Sequence, residues 1–215
     1  MTHALVLRPE PGNARTCAAL AAVGIDPVSV PLFAAVPVGW SPPDPADYDA
    51  LLLTSAQAVR LAGDGLAQLA GLPVVAVGAA TAAAARAAGI DVVMVGNGDA
   101  AAAVARAQTF PRLLHLAGRE HVAQPGVATL IVYASEALPV ASSALAAAVD
   151  GVVMLHSARA AQRFALLTAT LPRPRISVAA LSPAIARAAG PGWARVIVAD
   201  RPDDHALIEA VAASD

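Results

Sequence analysis

The sequence predicts an α/β fold made of two similar lobes, each a parallel sheet flanked by helices. The first observation is that apolar runs of strand length alternate with Ala-rich helical segments, with few hairpin signals between them. The second is a repeat, since Asp49–Arg60 (DALLLTSAQAVR) returns about a hundred residues later as Asp150–Phe164 (DGVVMLHSARAAQRF). In each copy an apolar run ends at two polar residues and a helical segment follows. We therefore expect one strand–Ser–helix unit in each lobe, with the strand tips facing one another.

The chain begins with a predicted strand–helix–strand segment. The first strand covers Ala4–Leu7, the helix covers Asn13–Val23 with Gly24 as its stop, and the second strand covers Pro27–Leu32. Residues 33–47 then change in character, because the segment is rich in Pro. We interpret 33–47 as a crossing between the lobes and 134–139 as the return crossing, so that the two lobes are joined by a two-stranded linker.

The two copies of the repeat continue with matching elements. After the first copy, the predicted strands are Pro73–Val77, Asp91–Val95, Leu113–Leu116 and Thr129–Val132, with Asp99 as an acidic helix cap. After the second copy, they are Ile176–Leu181 and Arg195–Ala199, with Asp204 as the matching cap. Because the copies differ in strand number, the N-terminal segment is expected to complete the second lobe. One lobe is therefore discontinuous, over residues 1–33 plus 137–215, and the other covers 36–133.

Composition excludes several classes of function. The net charge of −2 and the seven aromatic residues provide neither a basic field nor a stacking platform for nucleic acid. All fourteen basic residues are Arg, which excludes a Schiff-base lysine and the lysine of a phosphate-binding loop. The single Cys17 excludes an internal disulfide, and the N-terminal residues lack a signal-peptide pattern. No run of about 20 strongly apolar residues is present, so we expect no membrane span and a cytoplasmic protein.

Small and polar residues follow the predicted strands, at the edge of the sheet where open parallel sheets bind ligands. Nearly all of them precede a helix, whose first turn offers free backbone N–H groups and a partial positive charge to carboxylates or phosphates. These residues are Arg8, Thr54, Ser55, Gly78, Thr81, 96–99, Gly118, Arg119, Ser157, Ser182 and 200–203.

Three common kinds of site are disfavoured. Residues Gly96–Ala101 fit the G-x-G-x-x-A dinucleotide pattern, but the next strand ends in Ala117-Gly118 instead of an acid, which favours a Gly-rich turn capped by Asp99. The five His residues include no i,i+4 pair, so no metal site is expected. No G-x-S-x-G elbow is present, which disfavours a serine hydrolase.

Two functional assignments stay open on residue type alone. Ser55 and Ser157 are either helix N-caps or ligand contacts. Tyr133 ends an apolar strand, and it is either a boundary aromatic with its hydroxyl in water or a general acid at a cleft wall.

The order and spacing of several stretches resemble the uroporphyrinogen-III synthase family over nearly the whole chain. These stretches are Leu5–Pro9, Asp49–Val59, Val75–Thr81, Gly96–Asp99, Leu116–Gly118, Ile131–Tyr133, Ser157 and Ala180–Ser182. The resemblance implies two α/β lobes with an active site in the cleft, and a cofactor-free reaction. In that reaction the linear tetrapyrrole hydroxymethylbilane, which carries eight carboxylates, loses its hydroxyl group and closes with inversion of ring D. We expect the protein to act as a monomer.

The resemblance also implies roles for individual residues. Tyr133 is the candidate acid. Thr81, Ser55, Ser157 and Ser182 are expected to contact the substrate, largely through backbone N–H groups.

The sequence departs from the family pattern in two places. The chain is short between Gly118 and Tyr133, where the family has a helix, so one face of that lobe's sheet is expected to have little cover. In addition, Ala184 and Ile185 follow Ser182-Pro183 where the family often has a hydroxyl residue. The alternative to a cyclising synthase is therefore a non-catalytic two-lobe protein that binds a tetrapyrrole or another polycarboxylate, as a sensor.

Overall fold

The computed structural model describes residues 3–97 and 99–214. Gly98, part of the predicted Gly-rich turn, lies outside the described residues. The chain divides into two compact units: unit 1 is Met1–Ala34 with Ala137–Asp215, and unit 2 is Ala35–Glu136. None of the described helices combines the length and the apolar character that crossing a membrane requires.

Strands and helices alternate along the chain, as the sequence predicts. The N-terminal elements are β1 (His3–Val6), α1 (Gly12–Ala22), β2 (Asp26–Ser29) and β3 (Phe33–Pro37). They are followed by β4 (Ala50–Leu53), α2 (Ala56–Leu61), α3 (Gly65–Gln68), β5 (Val74–Ala76), α4 (Ala79–Ala87), β6 (Val92–Val95), α5 (Ala100–Arg106), β7 (Leu113–Gly118) and β8 (Ala128–Ala137). The last elements are α6 (Ser142–Ala146), β9 (Val152–Leu155), α7 (Ala158–Leu167), β10 (Ser177–Ala180), α8 (Pro183–Ala188), β11 (Arg195–Val198) and α9 (Asp204–Ala212).

The sheet of unit 1 has five parallel strands in the order β11-β10-β9-β1-β2. Its central strands are apolar runs whose side chains are buried on both faces, as expected where helices cover a parallel sheet on each side. One face packs around Phe164 and Trp193, and the other packs around Leu207 and Val211 of α9. The N-terminal segment therefore shares a sheet with the C-terminal half of the chain.

The sheet of unit 2 has six strands in the order β3-β8-β7-β4-β5-β6, and the β8-β7-β4-β5-β6 pairings are parallel. One face packs against α2, α3 and α4 around Leu51, Leu53 and Leu116. The other face packs against α5 through a smaller cluster that includes Leu52 and Ala103. The predicted α/β class, with parallel sheets flanked by helices, is confirmed.

The connection from β7 to β8 explains the smaller cluster. Residues 119–127 contain no helix, although β7 and β8 are parallel neighbours and such strands are usually joined through one. Val127 of this loop packs beside α5, while Val122 is 77% exposed. The expectation that one face of this sheet has little cover is correct.

Some predicted details differ from the structure. β3 lies inside the predicted crossing 33–47 and β8 runs to Ala137, into the predicted crossing 134–139, so both predicted crossings contain strand residues. β2 ends at Ser29, short of the predicted Leu32, although the N–H groups of Val30 and Leu32 still donate to the carbonyls of Val6 and Leu7, each at 3.0 Å. α9 is capped by Asp203, which accepts a hydrogen bond from the Ala206 N–H at 2.8 Å, and not by Asp204.

Candidate active site

Four of the predicted residues meet at one cavity in unit 2, at the carboxyl ends of its strands. Thr54 follows β4, Gly118 ends β7, Tyr133 lies in β8, and Asp99 is the N-cap of α5. All four line a cavity of about 350 Å³. The cavity lies on the side of the sheet that α5 and the 119–127 loop cover, and residues from both elements complete its wall.

The position of Tyr133 depends on the absence of a side chain at Gly118. The pairing of β7 with β8 shifts here, since Ala117 is opposite Ile131 but Gly118 is opposite Tyr133. Such a bulge changes the direction of the side chains that follow it. A Cβ atom on Gly118 would lie 2.6 Å from Cζ and 2.8 Å from the hydroxyl oxygen of Tyr133. Gly118 therefore makes room for the phenol.

His115 is the most unusual residue of the cavity wall, because it is a polar side chain in the apolar strand β7 and is only 1% exposed. Its Nε2 lies 3.0 Å from the Thr54 hydroxyl oxygen. Burial, and to a lesser extent the nearby charge of His121, lowers the pKa of His115 to about 4. His115 is therefore neutral at pH 7, and it acts as a hydrogen-bonding group, not as a charge.

His121 connects this pair to Gly118. Its Nδ1 lies 3.0 Å from the carbonyl oxygen of Gly118, and because a carbonyl only accepts, Nδ1 carries the hydrogen. The ring of His121 stands edge-on to the ring of His115, with centroids 5.7 Å apart. Thr54, His115, His121, Gly118 and Tyr133 thus form a continuous set of contacts along the cavity wall.

His115 and His121 are two of the five His residues for which only a metal site was considered, and disfavoured, from the sequence, and neither was predicted to line this cavity. Among residues 3–97 and 99–214, no three His, Cys, Asp or Glu side chains are arranged to hold a metal ion. One signal in the sequence was available: His115 interrupts an otherwise apolar strand, and buried polar groups need a partner.

The charge of the cavity wall is acidic. Asp99 and Glu120 line it, and none of its described lining residues is Arg. Arg119, predicted as a substrate contact, pairs with Glu136 at 2.6 Å instead of lining the cavity. A group that develops positive charge is therefore favoured here over a carboxylate.

The corresponding strand tips in unit 1 form a network of mutually paired groups. Asp204 accepts a hydrogen bond from Thr16 at 2.7 Å, lies 2.7 Å from Nε2 of His156, and pairs with Arg8 at 3.3 Å. Burial raises the pKa of Asp204, but the hydrogen bonds from His156 and Thr16, together with electrostatic attraction to His156 and Arg8, outweigh burial and leave that pKa below its ordinary value. The guanidinium of Arg8, a predicted substrate contact, already has an anionic partner.

The three predicted Ser residues all cap helices. Ser55 accepts from the Gln57 N–H at 3.1 Å, Ser157 from the Ala160 N–H at 3.2 Å, and Ser182 from the Ile185 N–H at 3.4 Å. Gly78 is the N-cap of α4, and Thr81, in the first turn of the same helix, is 5% exposed. These five residues place helix N-termini at the strand tips, but none of them lines the cavity of unit 2.

A sequence model of one protein family, described as uroporphyrinogen-III synthase HemD, matches residues 14–209. Among solved structures, uroporphyrinogen-III synthetase from Helicobacter pylori 26695 aligns with a TM-score of 0.73 and 15% identity, over 100% of both chains. Wild-type uroporphyrinogen III synthase from Thermus thermophilus aligns with a TM-score of 0.42 and 17% identity, over 100% of this chain and 98% of that one. No curated protein matches the chain significantly.

Proposed function

Because the chain belongs to the uroporphyrinogen-III synthase family, we propose that it cyclises hydroxymethylbilane to uroporphyrinogen III. The reaction releases water, inverts ring D and needs no cofactor. The observation that supports this activity best is the cavity of unit 2, where the phenol of Tyr133 lies against Gly118 beside the Thr54–His115 pair.

Tyr133 is the proposed general acid. The C–O bond of the hydroxymethyl group breaks with its electron pair on oxygen, and the phenol of Tyr133 gives that oxygen a proton, so that water leaves. The pyrrole nitrogen stabilises the resulting cation with its lone pair. The substituted carbon of ring D, which carries no hydrogen, then bonds to this cationic carbon. Its original bond to the neighbouring methylene bridge breaks, and the bridge rejoins ring D at its free carbon, so that ring D is inverted. That carbon finally loses a proton, which restores the phenol.

The acidic wall of the cavity supports this assignment. Asp99 and Glu120 repel the carboxylate arms of the substrate and favour the pyrrole ring that becomes cationic. We therefore propose that the cavity binds the hydroxymethyl end of the substrate.

The remaining contacts rest on the family resemblance. We propose that the carboxylate arms bind to the helix N-termini at Ser55, Gly78, Thr81, Ser157 and Ser182, and to Arg8 and Arg119. The first turn of each helix has backbone N–H groups without an intrahelical acceptor; the side chains of Ser55 and Ser157 accept from one such group each, and Gly78 provides no side-chain cap. Arg8 and Arg119 each have an acidic partner, so each has to exchange it for a substrate carboxylate.

We also propose that the protein is a cytoplasmic monomer. The single Cys17 of the sequence suits a reducing compartment, because no internal disulfide can form. Light scattering at several protein concentrations tests the monomer, and cell fractionation tests the compartment.

The identity of the product isomer tests the proposed function. Hydroxymethylbilane closes spontaneously in water without ring inversion and gives the type I macrocycle. A synthase has to hold ring D during its rearrangement, so we expect the type III product from purified protein with no added metal or nucleotide.

Type I product at the uncatalysed rate would contradict the synthase assignment. It would favour the alternative, a non-catalytic protein that binds a tetrapyrrole or another polycarboxylate. Binding of the bilane without any change in its product would then identify that alternative directly.

A further inference from the structure

His115 occupies a position where packing alone favours an apolar residue. Its neighbours in β7, Leu114 and Leu116, are completely buried in the core of unit 2. His115 points to the opposite face, because successive side chains of a strand alternate, and there it is 1% exposed. An imidazole that is buried loses its hydrogen bonds to water, whereas an apolar side chain of similar size has no such hydrogen bonds to lose. His115 therefore makes the fold less stable than an apolar residue would, and a functional role would account for its presence.

The hydrogen-bond partners of the ring identify which nitrogen carries the hydrogen. Nε2 lies 3.0 Å from the Thr54 hydroxyl oxygen, whereas Nδ1 is buried and has no partner among the described residues. A hydrogen on Nδ1 would be a buried donor without an acceptor, and such orphaned donors are rarer in proteins than orphaned acceptors. Nε2–H therefore donates to Thr54, and the hydroxyl proton of Thr54 is directed elsewhere.

We propose that His115 is a positioning residue, whose Nε2–H holds the Thr54 oxygen and thereby turns the Thr54 hydroxyl proton toward the cavity. There the Thr54 hydroxyl donates to the departing oxygen of the substrate, next to the phenol of Tyr133. This inference rests on the proposed function, since it assigns a role to His115 in that same reaction.

The surroundings of the His115 ring keep it neutral, with a hydrogen on only one nitrogen. The titratable groups at the same cavity are His121, Asp99, Glu120 and Tyr133. Burial dominates over these groups and keeps the pKa of His115 at about 4, so that one ring nitrogen is protonated at neutral pH. His121 donates to Gly118 and does not compete for the Thr54 hydroxyl.

Three variants separate positioning from packing. His115→Phe keeps a flat ring and removes Nε2, and His115→Gln places an amide N–H near the position of Nε2. Thr54→Val keeps the shape of Thr54 and removes its hydroxyl. Thr168→Val is the matched control, because Thr168 is also buried but donates to the Phe164 carbonyl in unit 1.

We expect His115→Phe to lower kcat about tenfold, the effect of losing one oriented hydrogen bond in the transition state, with KM changed less than about twofold. His115→Gln is expected to recover most of that loss. Because His115 acts through Thr54, His115→Phe combined with Thr54→Val should lose no more than Thr54→Val alone. Thr168→Val should retain the wild-type kcat.

Two kinetic outcomes would overturn the proposal. One is wild-type kcat in His115→Phe, which would leave His115 as a core residue only. The other is multiplication of the two single losses in the double variant, which would mean that His115 acts independently of Thr54.

Nuclear magnetic resonance of the His115 ring nitrogens tests the pair without any turnover. We expect the hydrogen on Nε2 in the wild type, and a change in the ring nitrogen shifts in Thr54→Val but not in Thr168→Val. A hydrogen on Nδ1 would overturn the proposal. If the expected spectrum is found but no type III product forms, the proposed function fails while the hydrogen-bonded pair stands.

Discussion

The two units contain the same strand–Ser–helix element but use its strand tip differently. In unit 1, His156 follows β9 and joins Arg8 and Thr16 in a network centred on the carboxylate of Asp204. In unit 2, Thr54 occupies the equivalent place and lines a cavity with His115 and Tyr133. The repeat therefore preserves the backbone architecture and the helix caps, while the chemistry at the tip has diverged.

A difference in how the two sheets are covered accounts for the cavity at the strand tips of unit 2. The smaller of the two core clusters in unit 1 includes twelve described buried residues, and its counterpart in unit 2 includes six. On that face of unit 2, the loop 119–127 stands where a helix would be expected between parallel strands. The space that the loop leaves unfilled is the cavity of about 350 Å³.

The largest expected effect is that of Tyr133→Phe on turnover. If Tyr133 gives the proton to the leaving hydroxyl group, loss of its phenol hydroxyl should lower kcat by about 10²–10⁴-fold, the usual contribution of a general acid. The melting temperature should change little, because the ring that packs against the core remains. Steady-state kinetics and thermal unfolding measure the two effects, and full activity would remove Tyr133 from the mechanism.

The second prediction is that acid destabilises unit 2 through His115 before it affects the network of unit 1. The folded pKa of His115 is about 4 and its ordinary value is 6.5, so between these values the unfolded chain binds the extra proton. The part of the unfolding free energy that depends on neutral His115 is fully present above pH 6.5. It is lost as the pH falls to about 4, for a total of about 3 kcal/mol.

Asp204 also stabilises the folded state less as the pH falls, but in a lower pH range. Its pKa is lowered from 3.8, so its stabilising effect is lost only as the pH falls below that value. Urea unfolding between pH 7.5 and 4.5 should therefore become less pH-dependent in His115→Phe and stay unchanged in Asp204→Asn. Equal pH dependence in His115→Phe and the wild type would contradict the low pKa of His115.

The third prediction concerns the contact between Gly118 and Tyr133. In Gly118→Ala, the new methyl group would meet the ring of Tyr133, which has to move. We expect a loss of about 1–3 kcal/mol in unfolding free energy, as in other overpacked cores, together with a lower kcat. Gly71→Ala is the control in the same unit, since a Cβ atom there has no neighbour within 4 Å. Wild-type kcat in Gly118→Ala would mean that the phenol position is not critical.

Local patterns predicted the elements of the fold better than the contacts of the site. The strand–Ser–helix repeat placed β4, β9 and the caps at Ser55 and Ser157 correctly, because period and capping are properties of short segments. The Thr54–His115 bond joins residues 61 positions apart, and the Thr16–Asp204 bond joins residues 188 positions apart. No periodicity encodes such pairs, so Asp204 was predicted to be a helix cap and His115 was not predicted to be a site residue.

The smallest expected effects come from Ser55→Ala and Ser157→Ala, which compare the same cap in the two units. Each variant loses one hydrogen bond to a helix N–H, so each should lower the unfolding free energy by about 1 kcal/mol. The loss at Ser55 should be at least as large, because α2 has six residues and α7 has ten. Ser→Gly at either position should cost only a few tenths of a kcal/mol.

Kinetics of the same variants separate capping from recognition through the hydroxyl. If the substrate binds mainly to backbone N–H groups, removing the Ser hydroxyl leaves those groups in place, and KM should change by less than about threefold. A tenfold rise in KM for Ser55→Ala, with no such rise for Ser157→Ala, would instead assign substrate recognition to the Ser55 hydroxyl. Equal and large rises in KM in both variants would mean that the hydroxyl groups of Ser55 and Ser157 both bind the substrate. The two strand tips would then still share one function, although the residues around them differ.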